Sequence, residues 1–531
     1  MSNLFNTIST IVTIPTLLLF SLVAVTIHKT HRYFTSPLRH QQIPGPLLAK
    51  FTTVYSLYYV LRRNWHLKMI DLHTQYGPIV QVSPHEVLVN DPKYRDVIYS
   101  FASKDKSFLP KAKMFETGKI NNDLSFIFER SPQAARAGRK ELGHIYSEAG
   151  LRLFEVDFDQ CVEDLITGLK NHHIEAGTES TNLTKWMQFF NFDLATRLAT
   201  GESAGFCLAG KDLGSANSAL RIIMDVVGTL FFVPVTLSIT TAWVRKMLLN
   251  RQLEQIWATS FDTKGSTKEA RLEEIRMNKP GYLLARFWQA QEKLRRLYTT
   301  GNETEGITTH MFNLIAGAVG VAPQAHISIL DHLLASPPVL QKCITELNAM
   351  GTTTVSMADY FPFDGPQQRL PYLQACIKES LRIAPPLGFS LLREAPEGGV
   401  RIGEFHIPKG VDIGMAAGPV HHSTFFGPDA SLYRPSRWFE THPSLLNLEG
   451  EPLEMKRFIE RNWIPFGAGA RMCLGRHLAQ NALMKVTGRM LAEFEIEVVS
   501  RPKGWFGFVV HQDGFLVRLK RRRDGDFAVA M

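Results

Sequence analysis

The 531-residue sequence predicts a mainly helical fold with small β-sheets, an α+β arrangement, preceded by one membrane-spanning helix. Three observations predict it. Apolar residues recur at three- and four-residue intervals through the middle of the chain, the period of helices packed on one face. Near both ends they alternate instead, as in half-buried strands. The first 30 residues hold one long apolar run without charge. Length alone would divide such a chain into three or four domains. No polar or low-complexity linker interrupts it after residue 46, so residues 47–531 read as one folded body.

From the N-terminus, Ile8 to Ile27 span 20 positions with no charged side chain, enough to cross one hydrocarbon core. Lys29, Arg32 and Arg39 follow, and the positive-inside rule puts them and the chain after them in the cytosol. A cleaved signal peptide is the other reading; the length of the run and its lack of a basic start favour a retained anchor over residues 1–30. Residues 31–46 are basic and end in Ile43-Pro44-Gly45-Pro46, a stiff turn suited to a hinge. Strands are expected over residues 80–89 (VQVSPHEVLV), 400–408, 494–499 and 515–520. Residues 222–237 are apolar but contain Asp225, Gly228 and Pro234, so they read as a helix-turn region against the bilayer rather than a second span.

The formal charge of +9 permits an anionic surface as partner, but the cations are not grouped with aromatics, which argues against nucleic acid. The run Lys520-Arg521-Arg522-Arg523 reads as a solvated strand end. Five cysteines, odd in number and widely spaced, argue against both a disulfide framework and a paired-cysteine zinc site. Two glycosylation sequons, at Asn182 and Asn302, would lie in the cytosol on this topology and stay unmodified.

One cysteine stands apart. In WIPFGAGARMCLGRHLA, residues 463–479, Cys473 is surrounded by Gly467, Gly469 and Gly475, with Arg471 just before it. Leu478, Ala482, Val486, Met490 and Phe494 then recur every fourth position, so the cysteine sits at a helix start, where the dipole favours a thiolate. A buried structural cysteine is one reading of this pattern; a thiolate ligating haem iron is the other. Upstream, Glu379 and Arg382 are spaced to pair on one helix, and FGPDASLYRPSRWFE ends in Arg437-Trp438.

Together these segments resemble the cytochrome P450 family. Phe466 to Gly475 fits its haem-ligand signature, Glu379-x-x-Arg382 its helical Glu-Arg motif, and Tyr433 to Trp438 the segment that completes a Glu-Arg-Arg network with Arg437. The resemblance implies the P450 fold and haem b with Cys473 as its iron ligand. Phe466 would lie beside the haem, while Arg471, Arg393 and Arg139 would bind its propionates. Glu379, Arg382 and Arg437 would hold the fold rather than catalyse. It further implies an enzyme of the endoplasmic reticulum membrane, single-pass with a cytosolic catalytic domain, taking electrons from an NADPH-cytochrome P450 reductase. The substrate would be a lipophilic small molecule, as for the fungal P450s that tailor secondary metabolites.

Met311 to Leu334 should form the long helix over the distal side of the haem, about 36 Å at 1.5 Å per residue. The family usually places an acid and an alcohol there to help deliver protons. This chain reads Ala316-Gly317-Ala318-Val319-Gly320, with Val319 for the acid and Gly320 for the alcohol, and Val321 adds no hydroxyl. Pro323 removes one helical hydrogen bond, which should free the Val319 carbonyl and kink the backbone. Gln324 and His326 are expected to face neighbouring helices rather than the iron. The departure keeps a second function open: a haem-thiolate isomerase, dehydratase or oxidative-coupling enzyme that inserts no oxygen. A non-catalytic haem-binding membrane protein is the third.

Overall fold

Helical periodicity through the middle of the chain becomes a helical core. The computed structural model describes residues 34–100, 109–118, 127–232, 253–260, 268–295, 303–349, 370–439 and 455–522. The expected anchor, Asn302 of the second sequon and Arg523 of the basic run lie outside these residues. Helix Glu155–Leu169 buries Phe158, Val162 and Leu165 against helix Leu183–Thr200, in which Phe190, Phe192 and Leu198 are fully buried. Helix Arg476–Glu493 joins this layer through Lys485, whose buried ammonium reaches Glu155 at 2.9 Å and Asp159 at 2.7 Å. Through the centre runs a long helix built from Glu303–Ile315, a π turn Ala316–Val321 and Ala322–Leu334. Among the described residues, Thr309–Leu334 is the one helix long and apolar enough to cross a membrane, and most of it is buried as core.

Strands lie in all four segments where alternation predicted them, joined by the short unforeseen strands Asp412–Gly414, Arg393–Glu394 and Thr181–Asn182. Ile79–Ser83 and Glu86–Val89 form a hairpin, extended by Asp412–Gly414 in parallel and then by Arg393–Glu394. Val400–Ile402 pairs with Phe405–Ile407, and Phe494–Ser500 with Leu516–Arg521. One hairpin was not foreseen, Lys503–Phe506 with Val510–Asp513.

Two expectations change in detail. Helix Ala216–Leu230 runs straight through Gly228, which does not break it: a Cβ there would stand 2.5 Å from the Phe508 backbone nitrogen, so the glycine permits close packing. Pro234 lies outside the described residues. The segment expected as a hinge is docked where it is described. The Pro44 carbonyl accepts the Gln81 N–H at 2.8 Å, the Ser36 hydroxyl donates to the Pro84 carbonyl at 3.0 Å, and Leu38 and Ile43 are buried.

Strand register sets three carboxylates side by side. Glu86 and Glu394 each stand opposite Asp412, with Arg130 paired to Glu394 and Lys113 at 3.9 Å from it. Glu86 and Asp412 keep some accessible surface, yet both carboxyl groups are densely surrounded by protein. Burial, and then the Asp412 charge, pushes Glu86 up to about 8. Burial, and then Glu394, pushes Asp412 up to about 7 against the pull of Arg130 and Lys113. An acid with a raised native pKa binds more protons when folded, so its contribution is present at low pH and lost as the pH rises through the native value. Wild-type protein should therefore lose stability relative to Glu86→Gln as the pH rises from about 5 to about 9. Urea midpoints across that range check this, and a constant difference would refute it.

Candidate functional site

Backbone contacts shape the cysteine loop. The Cys473 N–H donates to the Phe466 carbonyl at 2.8 Å, and the Gly467 N–H to the Ile464 carbonyl at 3.0 Å. Gly469 has φ +63°, and a Cβ on it would stand 1.4 Å from the Tyr99 carbonyl oxygen, so no side chain fits there. Tyr99 is itself pinned: its hydroxyl donates to the Leu391 carbonyl at 2.9 Å and accepts the Met415 N–H at 2.7 Å.

Cys473 alone of the five cysteines is exposed; the other four are buried, with Cys343 and Cys376 in contact at 3.4 Å. Although solvent reaches it, its surroundings are dense enough that burial pushes the thiol above its usual range. The Gly475 N–H, Arg139 and Arg476 pull the other way. The helix expected to start at the cysteine starts at Arg476, three residues further on. A metal cation at the sulfur removes the thiol proton outright.

Beneath the loop lies the predicted ion network. Glu379 and Arg382, one helical turn apart on Pro371–Ile383, are wholly buried and joined by two parallel bonds of 2.9 Å. Arg437 reaches the same carboxylate at 3.3 Å, the Trp438 indole at 3.1 Å and the Arg434 N–H at 3.0 Å. Arg382 also donates to the His421 carbonyl at 2.7 Å. His421 then accepts the Ile464 N–H on Nε2 at 2.9 Å, which leaves its proton on Nδ1, 3.2 Å from the Arg382 carbonyl. Ile464 starts the cysteine loop, so a short chain of hydrogen bonds links the ion pair to Cys473.

Four cations gather beside the loop. Arg139, on helix Pro132–Leu142 behind its Ser131 cap, donates to the Met472 carbonyl at 2.6 Å. Arg471 donates to the Arg130 and Ser131 carbonyls at 3.1 Å. Arg393 is buried over the Tyr99 ring at 4.9 Å. Lys111, also buried, donates to the Ile127 carbonyl at 2.6 Å. Burial, with Arg393 and Arg139 adding repulsion and Glu129 opposing it, holds Arg471 down at about 9. Burial and the three arginines push Lys111 well below the usual ammonium range. So much concentrated positive charge suits an anionic group.

A family model for cytochrome P450 matches residues 44–518. The chain belongs to the cytochrome P450 family. The cytochrome P450 monooxygenase asR2 of Sarocladium schorii is 26% identical over 502 residues, covering 92% of this chain and 93% of its own. For the monooxygenase cicH of Emericella nidulans the identity is 27% over 527 residues, with coverage of 95% and 98%. Pisatin demethylase of Fusarium vanettenii is 26% identical over 485 residues, covering 89% and 86%. The chain is thus a P450 enzyme, mainly helical with small sheets as expected.

P450 membership implies a haem-thiolate iron, and the residues present fit it. They offer an accessible cysteine sulfur as ligand, and clustered cations suited to two carboxylates. Arg139, Arg393 and Arg471, named from sequence, come together here. Phe466 closes the loop through its carbonyl, while its ring packs edge-on to Trp463 at 5.8 Å. Lys111 was missed: a single lysine after Pro110 carries no periodic signal, and only its backbone pairing with Arg393 reveals it.

In the P450's long helix a π turn over Ala316–Val321 precedes Pro323, which stands in the first turn of Ala322–Leu334. Val319 is buried among apolar neighbours, so the acid position is occupied by packing. From His310 to Leu330 only Asn313, Gly317 and Val321 are not buried, and a Cβ on Gly317 would meet open space. Gln324 accepts the Gln512 N–H at 2.7 Å, and His326 packs against Phe190 at 5.7 Å, both as expected.

Replacing Glu379 by Ala strands two buried guanidinium groups. The expected loss is about 3–5 kcal/mol, with poor haem retention, measured by urea unfolding and by the Soret-to-protein absorbance ratio. Unchanged stability would show that the network is not structural.

Proposed function

We propose that this chain is a membrane-anchored P450 monooxygenase that oxidises a lipophilic small molecule with O₂. Electrons come from NADPH through a partner reductase, and the setting is secondary metabolism at the endoplasmic reticulum membrane. One observation carries the reading: an accessible Cys473, held by the Phe466 carbonyl, beside Arg139, Arg393, Arg471 and Lys111. When bound, haem supplies a redox-active iron that activates O₂, with the cysteine thiolate pushing electron density toward it.

The chain's own residues do the rest. Cys473 ligates, and the Gly475 N–H bonds to its sulfur and stabilises its charge. Arg393, Arg471 and Arg139 would hold the propionates, with Lys111 close to these arginines. Residues 1–30 anchor the chain by the apolar run. Proton delivery falls to water, backbone or a substrate hydroxyl, since Val319 and Gly320 offer neither acid nor alcohol. General acid help is typically worth about 10² to 10⁴-fold. That absence favours one second reading, an isomerase, dehydratase or coupling enzyme on the same haem.

Reduced, CO-bound protein should show the red-shifted Soret band of thiolate-ligated haem. Cys473→Ser should lose it and Cys376→Ser should keep it; the reverse would move the ligand. Product analysis with a reductase and labelled O₂ separates the two functions. Label in the product supports the monooxygenase, and full conversion without air or NADPH overturns it. Deleting residues 1–33, which spares the docked Ser36 and Leu38, should release the protein from membranes with haem binding intact. A mature N-terminus found beyond residue 27 would replace the anchor with a cleaved signal.

A further inference from the structure

We propose that Cys343 and Cys376 form a modification site: a peroxide converts the pair into an intramolecular disulfide that ties two helices together beside the Glu379 clamp. All five cysteines are free thiols. Neither member of the pair belongs to the haem-ligand loop, so the two can react whether or not haem is bound.

Cys343 is on helix Pro337–Asn348, and Cys376 is on Pro371–Ile383, the helix that carries Glu379 and Arg382. Both are fully buried, and their Sγ atoms stand 3.4 Å apart. One carboxylate sets the two helices in register. Leu370, at the N-cap of Pro371–Ile383, offers no side-chain acceptor, and Glu346 supplies one from the neighbouring helix. Its Oε1 accepts the Tyr372 N–H at 2.8 Å and its Oε2 the Leu373 N–H at 2.9 Å. Glu346 is three residues from Cys343, and Leu373 is three from Cys376, so this cap lies about one turn from each sulfur. Leu347, Leu373 and Ile377 pack in the same apolar cluster as the two cysteines. The Cys376 carbonyl is held in turn, by the Ser380 hydroxyl at 3.0 Å and the Tyr433 hydroxyl at 3.2 Å. Backbone and cap thus fix the sulfurs face to face, and two side chains share the gap to a bond of about 2.0 Å.

Contact with Cys376, and then burial, raises the Cys343 thiol above its usual range, so little of it is thiolate and weak oxidants find no nucleophile. A peroxide is small and uncharged enough to reach the pair during local opening, which a bulky disulfide reagent is not. One sulfur, as its thiolate, attacks a peroxide oxygen. The O–O bond breaks, leaving a sulfenic acid and, with the thiol's proton, one water. The second sulfur displaces the sulfenic hydroxyl, its own proton leaves in a second water, and the S–S bond forms. Two thiols give up two electrons and two protons, and one H₂O₂ becomes two waters. The crosslink then constrains the unfolded chain and holds Pro337–Asn348 against the helix that anchors the ion network.

The test uses haem-loaded protein treated with a few equivalents of hydrogen peroxide, stopped with catalase, alkylated and digested with trypsin without reductant. Cleavage after Lys342, Arg369 and Lys378 places the cysteines in separate peptides, 343–369 and 370–378. These should be recovered linked, in an amount that rises with peroxide, and dithiothreitol should release them. At a urea concentration within the unfolding transition, the oxidised protein should have a folded-to-unfolded ratio about tenfold or more above that of the reduced protein. Cys343→Ala and Cys376→Ala should each lose the linked peptide and the gain, while Cys161→Ala keeps both. The wild-type measurement decides the matter even if a variant does not fold. Cysteines recovered singly, or oxidised separately to sulfinic acid, would overturn the proposal. Linkage that forms only in urea, scrambled among all five cysteines, would overturn it as well.

Discussion

Glu379 sits wholly buried between the guanidinium groups of Arg382 and Arg437, and the segments that frame the cysteine loop are tied to that ion pair. Bringing such charges out of water is costly, and the donors closely surrounding the carboxylate oxygens offset that cost. The arrangement therefore works as a clamp: the helix with Glu379, the turn with Arg437 and Trp438, and the short helix ending in His421 must all arrive together. His421 passes that constraint to Ile464 through one fixed tautomer. The loop's shape thus depends on charges that touch no substrate.

Opposite demands meet at the cysteine. Structural stability would favour spreading cations apart, yet Arg139, Arg393, Arg471 and Lys111 are held near one another in partly or wholly buried positions. Burial lowers the proton affinity of each, with repulsion from the neighbouring arginines adding to it at Arg471 and Lys111, while burial raises that of the thiol. A dianionic group carrying a metal cation would relieve both strains at once. A site whose charges are poorly balanced by themselves is well matched to the haem that the family implies.

The long helix shows another balance. It is apolar enough to resemble a membrane span, but it is the core against which other helices pack. Pro323 stands in the first turn after the π turn. Gly317 lies on an open face, while Val319 and Gly320 turn into packing positions. The positions where the family usually carries an acid and an alcohol are thus given to packing in this chain.

Much of this was legible in the sequence because its signals are local. Glycine spacing around Cys473, the i, i+3 placement of Glu379 and Arg382, and alternation in residues 80–89 and 494–499 each reflect geometry within a few residues. Arg393 and Arg139 were legible only through family resemblance, since a lone arginine has no periodic signature. Other features depended on contacts between distant parts of the chain. Gly228 looked like a helix breaker until the Phe508 backbone lay against it, and Lys111 looked ordinary until Arg393 paired beside it. The direction of the Cys473 pKa was decided by the density of atoms around the sulfur, which no spacing encodes. Cys343 and Cys376, far apart in sequence, became one feature only when two helices packed. Local spacing determined which residues could form the site; tertiary packing decided their charge, their burial and the space they leave, because desolvation and steric exclusion depend on neighbours that the chain brings in from elsewhere.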